Sequence, residues 1–174
     1  MRDGHRPAEG GREAGEALAI GLISDTHGFL RNEIYAAFEG VDEIIHAGDV
    51  GDAAILTELE VIAPVSSVYG NVDGWEVRER SREVLELERA GHRIAVIHGH
   101  QLGAPKVEGL IEMFPDAGVI VYGHTHQALV RNVGKALVVN PGSAGHRRFG
   151  KPVTAAQLVL RGQERPQAMV IELA

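Results

Sequence analysis

The chain contains no cysteine, so disulfides and thiolate metal sites are excluded, and any metal must be held by oxygen and imidazole nitrogen. No apolar run reaches the roughly 18 residues that span a bilayer. The N-terminal MRDGHRPAEGGREAGEALA lacks the apolar core of a signal peptide, and the chain is expected to be cytoplasmic. There is no basic excess either. Lys and Arg number 17 against 24 Asp and Glu, a net charge of −7, which offers no extended surface for long nucleic acids. A nuclease acting at a short local site stays compatible with this balance, as does a homo-oligomer.

What is present is an ordinary globular composition, with 174 residues, 44% hydrophobic and 24% charged. That length suits one domain with a buried core. Residues 1–17 hold too little apolar surface to repay ordering and are expected to form a flexible tail, leaving residues 18–174 as the folded domain.

Apolar periodicity predicts strands over 18–25, 41–49 and 64–71, with helices over 30–40 (closed by Gly40) and 52–63 between them. This βαβαβ alternation implies parallel strands with helices packed on the sheet. Two β-like runs then flank Ala90-Gly91, a hairpin signal. Residues 104–114 read as helix and 117–124 as a buried strand. The segments 128–140 and 153–174 each hold two alternating runs around glycine. The expected fold class is α/β (α+β), two packed sheets of mixed direction with helices outside.

Polar groups gather where the apolar strands stop. The first strand runs into Asp25-Thr26-His27, the second into Gly48-Asp49, the third into Gly70-Asn71-Val72-Asp73. Two later strands end in His98-Gly99-His100 and Gly123-His124-Thr125-His126. Ligands of open α/β sheets bind beyond the carboxyl ends of strands, and a core has no use for unpaired ionisable groups. In extended chain, side chains at i and i+2 share a direction. Asp25 with His27, and His124 with His126, can thus each aim two donors at one point. Carboxylate, carboxamide and imidazole together suit Mn, Fe, Zn or Co better than Ca or Mg. Seven donors exceed the needs of one ion and suit two sharing a carboxylate, the arrangement that serves phosphoryl transfer. Gly28, Gly48, Gly70, Gly74, Gly99 and Gly123 adjoin these residues, where tight turns or close backbone approach are expected.

The ordered blocks D-T-H, G-D, G-N-x-D, H-G-H and G-H-T-H resemble the calcineurin-like metallophosphoesterases. More narrowly they resemble the small single-domain YfcE-type phosphodiesterase branch, over residues 20–172. Asn140-Pro141-Gly142-Ser143 also resembles that branch. The resemblance implies a two-sheet β-sandwich flanked by helices (αββα) and two divalent ions per chain, Mn²⁺ foremost, with Fe, Zn, Ni or Co as alternatives. It assigns Asp25, His27 and His126 to one ion and Asn71, His98 and His124 to the other, with Asp49 bridging. The implied reaction is hydrolysis of a small phosphoester or nucleotide-like substrate, a phosphodiester foremost, by a water or hydroxide between the cations. Asp49, Asn71 and His100 are the candidate catalytic residues. No Ser or Cys stands in a triad-like setting.

The family's usual G-N-H-D carries Val72 in place of its histidine here. An isopropyl group cannot protonate a leaving group, which points away from phosphomonoesters. Two other readings share the fold: a metal-binding scaffold related to the retromer subunit, and a dinucleoside polyphosphate hydrolase. Among the remaining residues, His46 is expected to be buried and hydrogen-bonded, while His5, His92 and His146 face solvent. Trp75 is ordinary packing or a base-stacking surface, and Arg147 and Arg148 are solvated cations or a phosphate clamp.

Overall fold

A computed structural model describes residues 16–148 and 150–174; residues 1–15 of the expected tail, with His5, lie outside them. The first apolar run forms β1 (Leu18–Ile23), followed by α1 (Glu33–Ala37), β2 (Glu43–His46), α2 (Ala53–Glu60) and β3 (Val65–Ser67). β1 pairs with β2, and β2 with β3, both in parallel, the arrangement that βαβ crossovers produce. β9 (Thr154–Leu160) and β10 (Gln167–Glu172) extend this sheet antiparallel, in the order β10-β9-β1-β2-β3.

The second sheet holds β4 (Val84–Arg89), β5 (His92–Ile97), β6 (Val119–Tyr122), β7 (Leu129–Val133) and β8 (Ala136–Asn140), in the order β4-β5-β6-β8-β7. The β4–β5 hairpin turns at Ala90 (φ 48°) and Gly91 (φ 79°). Two left-handed residues in a two-residue loop make the turn whose twist matches antiparallel strands.

The alternating apolar positions explain the layering. Ile20, Leu22 and Ile45 of the first sheet meet Ile94, Val96, Val119, Val121, Leu137 and Val139 of the second, forming the central core. On the outer face of the first sheet, Ile23 and Ile44 pack under Ile34 and Phe38 of the α1 segment and Ile55, Leu56 and Leu59 of α2. On the outer face of the second, Ile97 and Ile120 pack under Val107 and Leu110 of α4 (Val107–Met113). Helix, sheet, sheet, helix is the expected sandwich. Each fully buried aliphatic side chain contributes roughly 1.5–3 kcal/mol, and all three clusters are built from such residues.

Two local differences stand out. The helix expected over 30–40 is only Glu33–Ala37. Its end tightens into i→i+3 turns, with Glu39 N donating to Ala36 O and Val41 N to Phe38 O, which carries the chain to Gly40 at φ 77°. A helix absent from the sequence reading, α3 (Trp75–Arg80), follows Gly74. Its six residues are too few for an apolar period to declare itself, and only Val77 is buried.

Candidate metal centre

The carboxyl ends of β1, β2, β5 and β6 meet at one edge of the sandwich, and the chain leaves each through a sharp turn. Asp25, His27, Asp49, His124 and His126 all have positive φ, between 49° and 69°. A non-glycine residue held there costs on the order of 1 kcal/mol. The turns are held by the backbone: Asp25 N donates to Gly48 O, His27 N to Asp49 O and Gly28 N to Val50 O, at 2.8–3.0 Å. Strain so held, at five polar side chains on one edge, marks a built site.

Two groups of donors result. One ligand atom each from Asp25, His27 and His126 lie within 4.8 Å of one another, as do those of Asp49, His98 and His124. Asp49 Oδ2 lies between the groups, 3.3 Å from His98 Nε2 and 3.8 Å from His27 Nε2. His126 Nε2 is 3.1 Å from Asp25 Oδ1.

The other atoms of these side chains are already engaged, which orients the free ones. Asp25 Oδ2 accepts from Ser24 Oγ at 2.6 Å and from His124 N at 3.2 Å. Asp49 Oδ1 accepts from Val72 N at 3.1 Å. His98 Nδ1 donates to Ala47 O at 2.8 Å, which leaves Nε2 as the lone-pair nitrogen. Among the described residues, Asp25 Oδ1 and His98 Nε2 are buried with no hydrogen-bond partner. Buried polar atoms are paired almost without exception, and two orphans aimed into facing donor groups fit divalent cations. Backbone and hydroxyl groups behind the donors fix ring and carboxylate orientation, as is usual around metal ligands.

The electrostatics agree. Burial alone would raise the Asp49 carboxyl, but His98, the Val72 N–H and His27 outweigh it and bring the pKa to about 2. Burial opposes protonation of His98 too, yet the facing carboxylates of Asp49 and Asp25 raise its pKa. At His27 burial prevails, helped by Arg148 and His126 and opposed by Asp49 and Asp25, and the pKa falls. A neutral imidazole facing carboxylates is the form that ligates.

Asn71 is exposed on the loop, between Gly70, which packs on Asp49, and Val72, whose N–H donates to it. The His100 ring stands 5.4 Å from that of His98 and 6.4 Å from that of His124, and its buried Nδ1 has no partner. Five of the six glycines near the donors sit where a side chain is strained or obstructed. Gly28, Gly48 and Gly99 have positive φ, and a Cβ at Gly70 or Gly123 would collide with Asp49 or Ser24. Gly74 is the exception: open space surrounds it, and it precedes the first turn of α3.

His46 is fully buried. Its Nδ1 accepts from Gly48 N at 3.2 Å, so Nε2 carries the proton and donates to Thr26 Oγ1 at 3.0 Å. Thr26 Oγ1 passes its own hydrogen to Val50 O at 2.8 Å. Burial lowers the His46 pKa to about 4 and keeps the ring neutral. His146 is exposed as expected, though stacked on Phe29 with centroids 4.2 Å apart. His92 departs from its solvent-facing expectation: it is only partly exposed, and its Nε2 is buried.

Ser24, Asp73, Asn140 and Ser143 hold the site from behind. Ser24 orients Asp25. The Asp73 carboxylate accepts from Val50 N, Gly51 N and Gly70 N at 2.8–3.2 Å, joining the loops after β2 and β3. Asn140 Nδ2 donates to Gly123 O and Thr125 Oγ1, both at 3.0 Å, and Ser143 Oγ to Asp25 O at 3.1 Å. Asp73, Asn140 and Ser143 stand in motifs already marked; Ser24 carries no periodic signal, and only the strand end beside it could have marked it.

Comparison with known proteins places this edge in context. Residues 18–163 match the model of the calcineurin-like phosphoesterase superfamily domain. A protein of Methanothermobacter thermautotrophicus named "Probable metallophosphoesterase" is 36% identical over 142 residues, 78% of this chain and 82% of the relative. A phosphodiesterase of Methanocaldococcus jannaschii is 31% identical, over 72% of this chain and 83% of its own length. Among solved structures, an archaeal phosphodiesterase superposes with a TM-score of 0.73 at 28% identity, covering 90% of this chain and all of that one. Vacuolar protein sorting 29 of Cryptosporidium parvum superposes with a TM-score of 0.74, covering 91% and 98%, at 19% identity, a likeness of fold alone. With a match that runs from β1 into the β9–β10 connection and so takes in every donor at the sandwich edge, the chain belongs to the calcineurin-like phosphoesterase superfamily.

Proposed function

We propose that the chain is a phosphodiesterase that hydrolyses its ester with two divalent cations, one held by Asp25, His27 and His126, the other by Asn71, His98 and His124, with Asp49 between them. The observation that carries this reading is the position of Asp49 Oδ2 within 3.8 Å of a nitrogen from each donor group. One carboxylate reaching both groups also offsets the mutual repulsion of two cations. Bound there, the ions supply a water acidified toward neutral pKa and positive charge for the phosphoryl oxygens.

The chain's own residues do the rest. Ser24, Ala47 O and the Val72 N–H hold Asp25, His98 and Asp49 in ligating orientation before any substrate arrives, so little reorganisation remains for the reaction. His100, beside His98 and His124, is the imidazole placed to touch the substrate. No side chain at position 72 donates a proton, which favours esters whose leaving group departs unaided. Mn²⁺ is the first choice of metal, with Fe, Zn, Ni and Co as alternatives, since the donor set mixes imidazole and oxygen. The domain is assigned to residues 18–174, with the preceding tail dispensable, and a cytoplasmic location is proposed with it. Among the described residues no helix is long and apolar enough to cross a membrane.

The rival reading as a non-catalytic scaffold has no support in the donor set, because each of the seven positions keeps a competent ligand. The test is metal analysis of purified protein alongside a panel of phosphomono- and phosphodiesters. Two equivalents of metal with diester turnover support the proposal; one equivalent, or turnover indifferent to metal, overturns it.

A further inference from the structure

Resting on the phosphodiesterase reading, we propose that Trp75 is the surface on which a planar, uncharged aromatic arm of the substrate, such as a nucleobase, stacks. Trp75 is the chain's sole tryptophan and is 67% exposed. An indole is among the largest apolar surfaces a protein can bury. The helix that carries it is anchored instead by Val77, which is 2% exposed, so packing does not account for Trp75.

Its position is fixed relative to the donors. Val72 N donates to Asp49 Oδ1 at 3.1 Å, and three residues of chain place the Trp75 Cα no more than about 11 Å from that of Val72. The intervening loop is tied down at Asp73, whose carboxylate holds Val50, Gly51 and Gly70. Arg78 Nε closes the other side by donating to Asp73 O at 2.8 Å. Val72 is itself 52% exposed. Two exposed apolar side chains, Val72 and Trp75, thus stand on the loop that leads from Asp49 to α3.

Beside the indole lies a trough of about 270 Å³ bounded by Gly51, Asp52, Ala53, Gly74 and Glu76. Gly51 is packed against the backbone of His27 and Gly28 so closely that it has no room for a Cβ. The trough thus adjoins the first donor group, at His27 through Gly51. Its charge decides what it takes. Asp52 and Glu76 are exposed carboxylates, and no lining residue is cationic. A second phosphate, as in a polyphosphate chain, is repelled there. A flat neutral ring gains stacking and covers apolar surface without desolvating a charge.

The indole is also the probe. In the metal-loaded full chain, adenosine 5′-monophosphate is expected to quench tryptophan emission saturably and shield it from acrylamide. Ribose 5-phosphate, with the same phosphate but no base, is expected to do neither. Base stacking on an aromatic side chain is worth about 1–3 kcal/mol, so Trp75→Ala should cut the kcat/KM preference for phenyl over methyl p-nitrophenyl phosphate about tenfold. Trp75→Phe should keep most of that preference. Phenyl and nucleoside esters measured together show whether any flat ring or a base is favoured. Equal quenching by both sugar phosphates, no quenching, or an unchanged preference in Trp75→Ala would overturn the proposal. Absence of turnover with both metals bound would instead refute the phosphodiesterase reading, while the quenching experiment still decides the stacking surface.

Discussion

Gly70 passes so close to the side chain of Asp49 that a Cβ built on it would overlap the Asp49 Oδ1 atom. The same loop gives Asp49 a hydrogen bond through Val72 N, so the two loops are fitted face to face. Gly70→Ala must push the carboxylate away or open the loop. Displacements near 1 Å at a reacting centre cost on the order of 10²-fold in rate. We expect that loss in kcat/KM together with weaker metal affinity by calorimetry, and a melting temperature lowered by only a few degrees. Near-normal activity would show that Asp49 tolerates the shift and is not held as described.

The orphaned Asp25 Oδ1 and His98 Nε2 atoms are a cost that the metal-free protein bears alone. Divalent metal should therefore raise the melting temperature as well as permit turnover. A ligand at 100 times its dissociation constant stabilises by about 2.7 kcal/mol. Chelation should abolish turnover, and Mn²⁺ should restore both stability and activity. Thermal unfolding with and without metal, on protein checked by elemental analysis, reads this directly.

Asp49→Asn should be more damaging than His100→Ala. The first removes the charge that faces both donor groups. The second removes a ring beside His98 and His124, a change on the scale of groups that tune metal sites by about 10–100-fold. Metal content and kcat/KM measured on both variants settle the order.

Much of this site was legible in the sequence because strand ends are conspicuous. An apolar run stops, and the next residues are Asp, His or Asn. The i, i+2 spacing of Asp25 with His27 and of His124 with His126 was read as extended chain. The structure brings these residues together by another route, through left-handed turns in which each donor has positive φ, and no periodicity encodes that. What stayed hidden is the support. Thr26 and Asn140 stood in visible motifs, but their partners gave no signal: Thr26 pairs with His46, and Asn140 with Gly123 and Thr125 beyond the neighbouring strand. α3 escaped because six residues with one buried position give no pattern.

His46 predicts a pH dependence. Its pKa falls from 6.5 to about 4 on folding, so the unfolded chain binds the proton more readily. The stability from its neutral ring is fully present above pH 6.5 and is lost as pH falls toward 4. The full span is on the order of 3 kcal/mol. Urea unfolding of metal-free protein from pH 7 to 4.5 should show that decline. His46→Gln should be less stable at pH 7 and flatter over the same range. Parallel curves would assign the decline to other groups.

Val72 sets the substrate preference. With no imidazole there, the leaving oxygen departs as an anion, and the rate should fall steeply as leaving-group pKa rises. Activated aryl diesters should be cleaved far better than alkyl ones. A general acid is worth about 10²–10⁴-fold, and Val72→His would restore one only if the ring is oriented. Asp73 is next in sequence, but both its oxygens are engaged: Oδ1 by Gly51 N, Oδ2 by Val50 N and Gly70 N. Oδ1 keeps one lone pair, but turning the carboxylate toward a ring at 72 would loosen the loops that hold Asp49. The gain in Val72→His should therefore fall well below the full range, near tenfold on poor leaving groups, with monoester hydrolysis rising by a similar factor. A series of substituted aryl esters under saturating metal measures the slope in both proteins. A shallow slope in the wild type would mean that another group already supplies the proton. His100 is then the first to test, since its Nδ1 is buried without a partner. A shallow slope that steepens in His100→Ala would assign the acid to that ring.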